Sequence, residues 1–140
     1  MTILIDTNVA LDILLNRQPW YTHAALIFGL TQQKYIKSFI SASTVTDIFY
    51  ISQKEHGKKA AREAIKSLLQ VFSPATVTDS NIFQALNLEW NDFEDSLQYV
   101  VGKTLLADFI VTRNTQDFTS GSIPAVTPEQ FIQTVTVIEK

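Results

Sequence analysis

The sequence predicts an α/β protein whose parallel sheet is covered by helices on both faces. Short apolar runs alternate with longer segments of helical periodicity along the chain, which is the pattern of parallel sheets. A length of 140 residues suits one domain with a sizeable core, so we expect a single domain over residues 1–140. The hydrophobic content of 46% and the aromatic content of 11% indicate a globular chain rather than a disordered one.

The amino terminus predicts a buried strand followed by a helix. Ile3–Ile5 is a short apolar run, which is typical of a strand buried on both faces. The crowded apolar residues of Val9–Leu15 indicate a well-buried helix, for which Thr7 or Asn8 is the expected cap. Pro19 interrupts the helical pattern, so the helix ends before it.

The next segments predict a helix, a second strand and a third helix. The stretch "YTHAALIFGL" predicts a helix that ends near Gly29. Lys34–Ala42 alternates in side-chain type with a period of two, which indicates a strand. The following stretch "STVTDIFYISQKE" predicts a helix, with Ser43, Thr44 or Thr46 as its cap.

The remainder of the chain continues the alternation. The stretch "KKAAREAIKSLLQVF" has one apolar stripe at helical spacing. After it come a weak strand in "VFSPATVT", helices in "DSNIFQALNL" and "DFEDSLQYVVGKTL", and a strand at Asp108–Thr112. A last helix begins at "TPEQFIQTV", where Thr127 is the predicted cap, Pro128 is the first helical residue and Gln130 completes a capping box.

Composition excludes several classes of function. The formal net charge is −3, so a polyanionic partner needs a local basic patch or bound cations. The chain has no cysteine, which excludes disulfides, thiolate metal sites and cysteine nucleophiles. The start "MTILIDTN" does not have the pattern of a secretory signal, and no apolar stretch has the length of a membrane span. We therefore expect a cytoplasmic protein that does not enter the membrane.

Carboxylates fall where several predicted strands end or where the following helices begin. These acids are Asp6, Asp47, Asp92, Glu94, Asp95 and Asp117. Since ligand sites of parallel sheets lie outside the carboxyl ends of the strands, we expect the acids to meet at that edge. Anions in one place repel each other and need a cation, and oxygen ligands without cysteine favour Mg²⁺ or Mn²⁺ over Zn²⁺.

Each acid also has a purely structural interpretation. Asp6 is a suitable helix cap, and the acids of "DFEDS" lie where a helix dipole favours negative charge. Asp117 suits a turn, and an acid such as Asp47 is common near a helix start. The four segments together are more informative than any one of them alone.

Three stretches resemble the PIN domain, a family that includes metal-dependent ribonucleases and the VapC-type toxins of bacterial toxin–antitoxin pairs. They are "LIDTNVALDILL", "NDFEDSLQYV", and "DFIVTRNTQDF" followed by "IPAVTPEQF". The resemblance covers nearly the whole chain in the right order. It implies a three-layer α/β/α sandwich with a central parallel sheet, and an acidic pocket that holds one or two divalent ions.

The resemblance assigns a role to each acid. The implied catalytic acids are Asp6, Asp47, Asp95 and Asp117, of which Asp6, Asp95 and Asp117 are the implied ligands of Mg²⁺ or Mn²⁺. Asp47 stands where glutamate is frequent, so a contact through water suits its shorter side chain. Asn8 or Thr7 and Asn114 match supporting polar positions, and Glu94 assists Asp95 or replaces it.

The implied reaction is endonucleolytic hydrolysis of RNA that leaves a 5′-phosphate, and the implied partners are an antitoxin and a second copy of the chain. The basic residues Lys58, Lys59 and Arg62 are candidate RNA contacts, unless they form an ordinary solvated helix face. Arg113 is a smaller candidate. The alternative function is a PIN-like module that binds RNA or protein without catalytic activity.

Overall fold

The computed structural model describes the backbone of residues 1–139 and the side chains of residues 1–136. Its strands are β1 (Thr2–Ile5), β2 (Lys37–Ser41), β3 (Ser73–Ala75), β4 (Phe109–Val111) and β5 (Ala125–Val126). Its α-helices are α1 (Thr7–Leu14), α2 (Tyr21–Gln32), α3 (Ala42–His56), α4 (Lys58–Leu69), α5 (Asp79–Leu88), α6 (Phe93–Thr104) and α7 (Pro128–Glu139). A short 3-10 helix spans Thr115–Phe118.

The strands form one sheet in the order β3-β2-β1-β4-β5, and all of its paired strands are parallel. Strand β1 lies at the centre, so its side chains alternate between two buried faces. Ile3 and Ile5 belong to one hydrophobic cluster and Leu4 belongs to the other. The central position of β1 therefore brings the residue after it, Asp6, to the middle of one edge of the sheet.

Helices cover both faces of the sheet, which confirms the predicted three-layer sandwich. The cluster around Ile3 and Ile5 includes side chains of α1, α2, α3, α4 and α7. The cluster around Leu4 includes side chains of α5 and α6. Helices α5 and α6 pack side by side, and the Asn81 side chain near the start of α5 donates to Thr104 at the end of α6, at 3.2 Å. The two helices are therefore antiparallel, and the α5–α6 loop lies at the edge of the sheet where β1 ends.

Two helix caps lie one or two residues before the nearest positions predicted from the helical pattern. Helix α1 begins at Thr7 and its cap is Asp6 rather than Thr7 or Asn8, which agrees with the structural interpretation of Asp6 as a cap. Helix α3 begins at Ala42 and its cap is Ser41, whose side chain accepts from the backbone N–H of Ser43. Asp6 directly follows β1, and Ser41 is the last residue of β2. In both places the chain passes from the strand into the helix without an intervening loop.

The cap of α7 is confirmed. The Thr127 hydroxyl accepts from the backbone N–H of Gln130 at 3.1 Å, and the Gln130 side chain accepts from the backbone N–H of Thr127 at 2.9 Å. Strand β5 and the 3-10 helix were not predicted, since two and four residues are too few to establish a periodicity. Within the described residues, no helix combines the length and the hydropathy that crossing a membrane requires.

Candidate acidic active site

Asp6 lies at the centre of the site because it directly follows the central strand. Its side chain is 7% exposed, and both carboxylate oxygens accept hydrogen bonds. Oδ1 accepts from the backbone N–H of Thr7 at 2.8 Å and from the side chain of Gln98 at 3.3 Å. Oδ2 accepts from the hydroxyl of Thr112 at 2.7 Å and from the side chain of Asn8 at 3.4 Å. Four donors thus fix the orientation of this carboxylate.

Asp95 and Asp117 line a cleft of about 410 Å³ next to Asp6. Asp95 lies in the first turn of α6, whose cap Asp92 accepts from the Asp95 backbone N–H at 3.0 Å. Asp117 lies in the 3-10 helix that follows β4. The other residues of the cleft are Glu89, Trp90, Asn91, Asp92, Gln116, Thr119 and Ser120. Two implied metal ligands therefore face one open space.

Glu94 and Asp47 form a second acidic pair in the same region. The charge of Asp47 raises the pKa of Glu94 beyond the effect of burial, and the Thr7 hydroxyl donates to Glu94 Oε1 at 3.4 Å. Thr7 Oγ1 in turn lies 3.2 Å from the hydroxyl of Thr44, which is one turn of α3 before Asp47. The start of α3 is thereby joined to the starts of α1 and α6.

The electrostatics of the cluster are repulsive. Burial raises the pKa of Asp6. The hydrogen bonds from Thr112 and Thr7 oppose this rise, and the charges of Asp117 and Asp92 add to it. Burial, followed by the charges of Asp92, Asp6, Asp117 and Glu94, raises the pKa of Asp95 to about 7. For both groups, the charged neighbours that shift the pKa are carboxylates. Such a cluster holds protons at neutral pH unless a cation replaces them.

Glu94 behaves in the same way. Burial raises its pKa, and the charge and hydrogen bond of Asp47 raise it further, followed by the charges of Asp6 and Asp92. The structure therefore brings Asp6, Asp47, Glu94, Asp95 and Asp117 into one electrostatically coupled group.

The donor set suits a hard divalent cation, but the carboxylates are spread out. Within the described side chains, no three histidine, cysteine, aspartate or glutamate residues are grouped closely enough to hold a metal ion directly. Mg²⁺ commonly binds through one or two carboxylates and keeps several of its waters. The residues present therefore fit a divalent ion, for which Asp6, Asp95 and Asp117 would be the ligands.

Arg113 is engaged by an acid that sequence analysis did not single out. Its guanidinium contacts the fully buried carboxylate of Asp12, with 3.0 Å from Nε to Oδ2 and 3.3 Å from the terminal nitrogen to Oδ1. The guanidinium carbon also lies 3.9 Å from the ring centroid of Trp20, which is 42% exposed. Burial raises the pKa of Asp12, and the charges of Arg113 and Arg17 oppose that rise. These contacts give Arg113 a structural role.

The basic residues Lys58, Lys59 and Arg62 lie on the exposed part of α4, after the α3–α4 turn at Gly57. Asp47 and His56 are nine positions apart in α3, which is about 14 Å along the helix axis. The start of α4, which carries these three basic residues, therefore follows the end of α3 that is farther from the acidic cluster. Their contact with RNA stays a prediction.

The supporting positions are close to Asp6. Asn8 donates to Asp6, and its Oδ1 accepts from the backbone N–H of Arg113 at 3.3 Å, which joins α1 to the end of β4. The backbone N–H of Asn114 donates to the Thr112 hydroxyl at 3.0 Å. Asn114 therefore orients, through its backbone, the same hydroxyl that donates to Asp6.

Sequence analysis missed the polar residues behind the cluster. Gln98 is 2% exposed, and its Nε2 donates both to Asp6 Oδ1 and to the Thr44 hydroxyl, the latter at 2.9 Å. Thr112 is fully buried and was predicted only as the last residue of a strand. The signal that could have identified Gln98 is its position one turn after Asp95, on a helix face that is otherwise buried.

The raised pKa of Asp95 predicts a distinctive pH dependence. The folded protein holds this proton up to about pH 7, whereas an unfolded chain releases it near pH 3.8. The metal-free protein should therefore lose stability as the pH rises from about 4 through 7. Melting curves of the metal-free protein at several pH values test this, and Asp95→Asn should flatten the dependence. A wild-type melting temperature that rises across this interval, with no flattening in the variant, would contradict it.

Comparison with known proteins identifies the family and the fold. The sequence matches the family model of the PIN domain over residues 2–116. A comparison with curated protein sequences finds no match. Among solved structures, the fold is similar to VapBC-1 from nontypeable Haemophilus influenzae, with a TM-score of 0.71 and 12% identity over 92% of this chain and 99% of that chain.

Two further structures have the same fold. VapBC2 from Rickettsia felis, bound to a DNA fragment from its promoter, gives a TM-score of 0.68 and 16% identity over 90% of this chain and 97% of that chain. A toxin–antitoxin complex from Klebsiella pneumoniae gives a TM-score of 0.67 and 22% identity, also over 90% of this chain and 97% of that chain. At these identities the structural similarity concerns the fold.

Proposed function

Because this chain belongs to the PIN-domain family, a family of nucleases, we propose that it is an endoribonuclease that depends on Mg²⁺ or Mn²⁺. The observation that carries the proposal is the carboxylate of Asp6, whose pKa is raised by burial and further by the charges of the nearby Asp117 and Asp92. A structural cap would be better placed in solvent, where its charge costs less. An acid kept in such surroundings is suited to binding a cation.

The side chains have distinct tasks in this proposal. A bound divalent ion supplies an activated water and neutralises the charge on the phosphodiester. The ion would be held by Asp6, Asp95 and Asp117, of which the last two line the cleft. Gln98 and Thr112 keep the Asp6 carboxylate in one orientation through their hydrogen bonds. Asp47 would contact the ion through water, and Glu94 would assist Asp95 or replace it.

We further propose that the chain is the toxin of a toxin–antitoxin pair and acts in the cytoplasm. The structural relatives from Rickettsia felis and Klebsiella pneumoniae come from such complexes, which supports an antitoxin partner. A homodimer is also part of the proposal. Trp20 and Tyr50 are 42% and 55% exposed and are available for a self-complementary contact, whereas Tyr21 and Phe49 are half-buried.

One observation favours a second candidate function, a PIN-like module that binds RNA or protein without cleaving it. The carboxylates of the described residues are not gathered into a group of three that holds an ion directly. If the cluster stays protonated instead of binding metal, the fold remains intact and the reaction does not take place. Metal dependence therefore separates the two functions.

RNA cleavage before and after removal of metal tests the proposed function. The purified protein should cut a single-stranded RNA in Mg²⁺ or Mn²⁺, stop when a chelator is added and resume when metal is restored. Asp79→Asn is a matched control, because Asp79 is exposed at the opposite end of α5 from the cleft. It should cut like the wild type. Cleavage that persists in chelator, or that is equal in Asp95→Asn and Asp79→Asn, would contradict the proposal.

A further inference from the structure

Uncharged side chains also line the cleft at the acidic cluster. They are Trp90, Asn91, Gln116, Thr119 and Ser120. The volume of about 410 Å³ lies at the small end of the range for ligand sites, which is roughly 300–1,000 Å³. The space therefore suits about one nucleotide rather than a longer length of polymer.

The charge of the cleft decides which part of a nucleic acid it can accept. The charged residues among those that line it are all acids, namely Glu89, Asp92, Asp95 and Asp117. A phosphate is repelled by these side chains except where a cation lies between them. A neutral group is not repelled by these carboxylates. The side-chain amides and hydroxyls that line the cleft can donate hydrogen bonds to such a group and accept hydrogen bonds from it.

The far wall of the cleft is held in place before any ligand arrives. The backbone N–H of Ser122 donates to the Tyr99 hydroxyl at 3.0 Å, and the Ser122 hydroxyl lies at the same distance from it. Gly121 lies against the Tyr99 ring so closely that a Cβ atom there would overlap a ring carbon. Tyr99 also stacks on Trp90, with 4.9 Å between ring centroids and a tilt of 34°. These contacts fix Trp90 and the loop after the 3-10 helix relative to each other.

We propose that this cleft seats one unpaired nucleobase of the RNA, beside the phosphate that is cut. Proteins recognise single-stranded RNA by placing a splayed base on an aromatic side chain and by hydrogen bonds to the base edge. Trp90 supplies the aromatic surface, and the side-chain amides of Asn91 and Gln116 supply the hydrogen bonds. The inference rests on the proposed function, because it takes the scissile phosphate to lie at Asp95 and Asp117.

Binding of free nucleosides tests this proposed base-binding site without any cleavage. The chain has two tryptophans, so a Trp20→Phe variant identifies the indole signal of Trp90 in a proton–nitrogen correlation NMR spectrum. Nucleosides carry no phosphate and need no metal, so they are added in chelator. The Trp90 signal should shift more with some bases than with others, and Gln116→Ala should reduce the shift. Gln33→Ala is the matched control, since Gln33 is exposed at the end of α2.

Cleavage of a randomised RNA tests the same base-binding site in the working enzyme. Sequencing of the products should show a base preference at one position next to the cut. Asn91→Ala and Gln116→Ala should each reduce that preference about three- to tenfold, which is the value of one hydrogen bond. Gln33→Ala should leave it unchanged.

The two measurements separate the failure of this inference from the failure of the proposed function. If the wild type cuts RNA but the Trp90 signal does not move and both alanine variants keep the preference, the inference is wrong and the nuclease function stands. If nucleosides shift Trp90 and Gln116→Ala weakens the effect while no RNA is cut, the base-binding site is real and the nuclease function is wrong. A basic peptide that shifts Trp90 where nucleosides do not would overturn the inference in favour of a protein ligand.

Discussion

Asp6→Asn should abolish RNA cleavage while leaving the metal-free protein at least as stable as the wild type. An asparagine keeps one oxygen for the N–H of Thr7 and the amide of Gln98, and the Thr112 hydroxyl can turn to accept from its amide. The bond lost is the long one from the Asn8 amide, at 3.4 Å. The substitution also removes one charge from a repulsive cluster, which favours the folded state. The melting temperature without metal should therefore stay the same or rise by a few degrees.

The loss of function should be larger than the roughly 10–100-fold that removal of an outer-shell partner costs a metal site. Added Mg²⁺ should stabilise the wild type, by about 2.7 kcal/mol at a concentration one hundred times the dissociation constant, and should not stabilise the variant. Asp79→Asn serves again as the control and should respond to Mg²⁺ like the wild type. If the variant melts like the wild type without metal and Mg²⁺ stabilises neither protein, Asp6 is only a helix cap, because asparagine caps a helix about as well as aspartate.

Arg113→Met should destabilise the protein strongly, because it leaves the buried carboxylate of Asp12 without its partner. Breaking a buried ion pair from one side costs about 3–5 kcal/mol. For a chain of this length, that corresponds to a decrease of roughly 10–15 °C in melting temperature. The loss should shrink at low pH, where protonation of Asp12 removes the uncompensated charge. Thermal and denaturant unfolding measure both effects.

Two variants show whether the pair itself is responsible. Arg62→Met makes the same substitution on the exposed face of α4 and should change the free energy of unfolding by less than about 0.5 kcal/mol. Asp12→Asn combined with Arg113→Met removes the buried charge and should recover most of the lost stability. A double variant as unstable as Arg113→Met alone would mean that the stacking of Arg113 on Trp20 carries the effect.

The start of a helix was predicted correctly where the helix has a clear capping signal of its own. Helix α5 was predicted over the residues that it occupies, and Thr127 and Gln130 form the predicted reciprocal bonds at the start of α7. The caps of α1 and α3 were misplaced because several polar residues follow each strand, and local sequence does not choose among them. The choice is made by how tightly each helix packs onto the strand before it.

The acidic cluster could be anticipated for a different reason. Parallel strands end at a common edge, so acids that follow β1 and β4 and that begin α6 must lie close together. The buried partners could not be anticipated in this way. Asp12 and Arg113 are 101 residues apart, and Gln98 and Asp6 are 92 residues apart, so only the folded chain brings them together. Asp12 also occupies a helix position whose neighbours are apolar, where local sequence gives no sign of its partner.

Calorimetric titration of Mg²⁺ or Mn²⁺ into the metal-free protein most directly tests whether the acidic cluster is a metal centre. Because the cluster holds protons near neutral pH, binding should release protons, and the measured heat should change with the ionisation enthalpy of the buffer. Affinity should increase from pH 6 to pH 8, and Asp6→Asn and Asp95→Asn should each weaken it while Asp79→Asn leaves it unchanged. A titration with no saturable heat in either metal, or with equal affinity in Asp95→Asn and the wild type, would contradict the account.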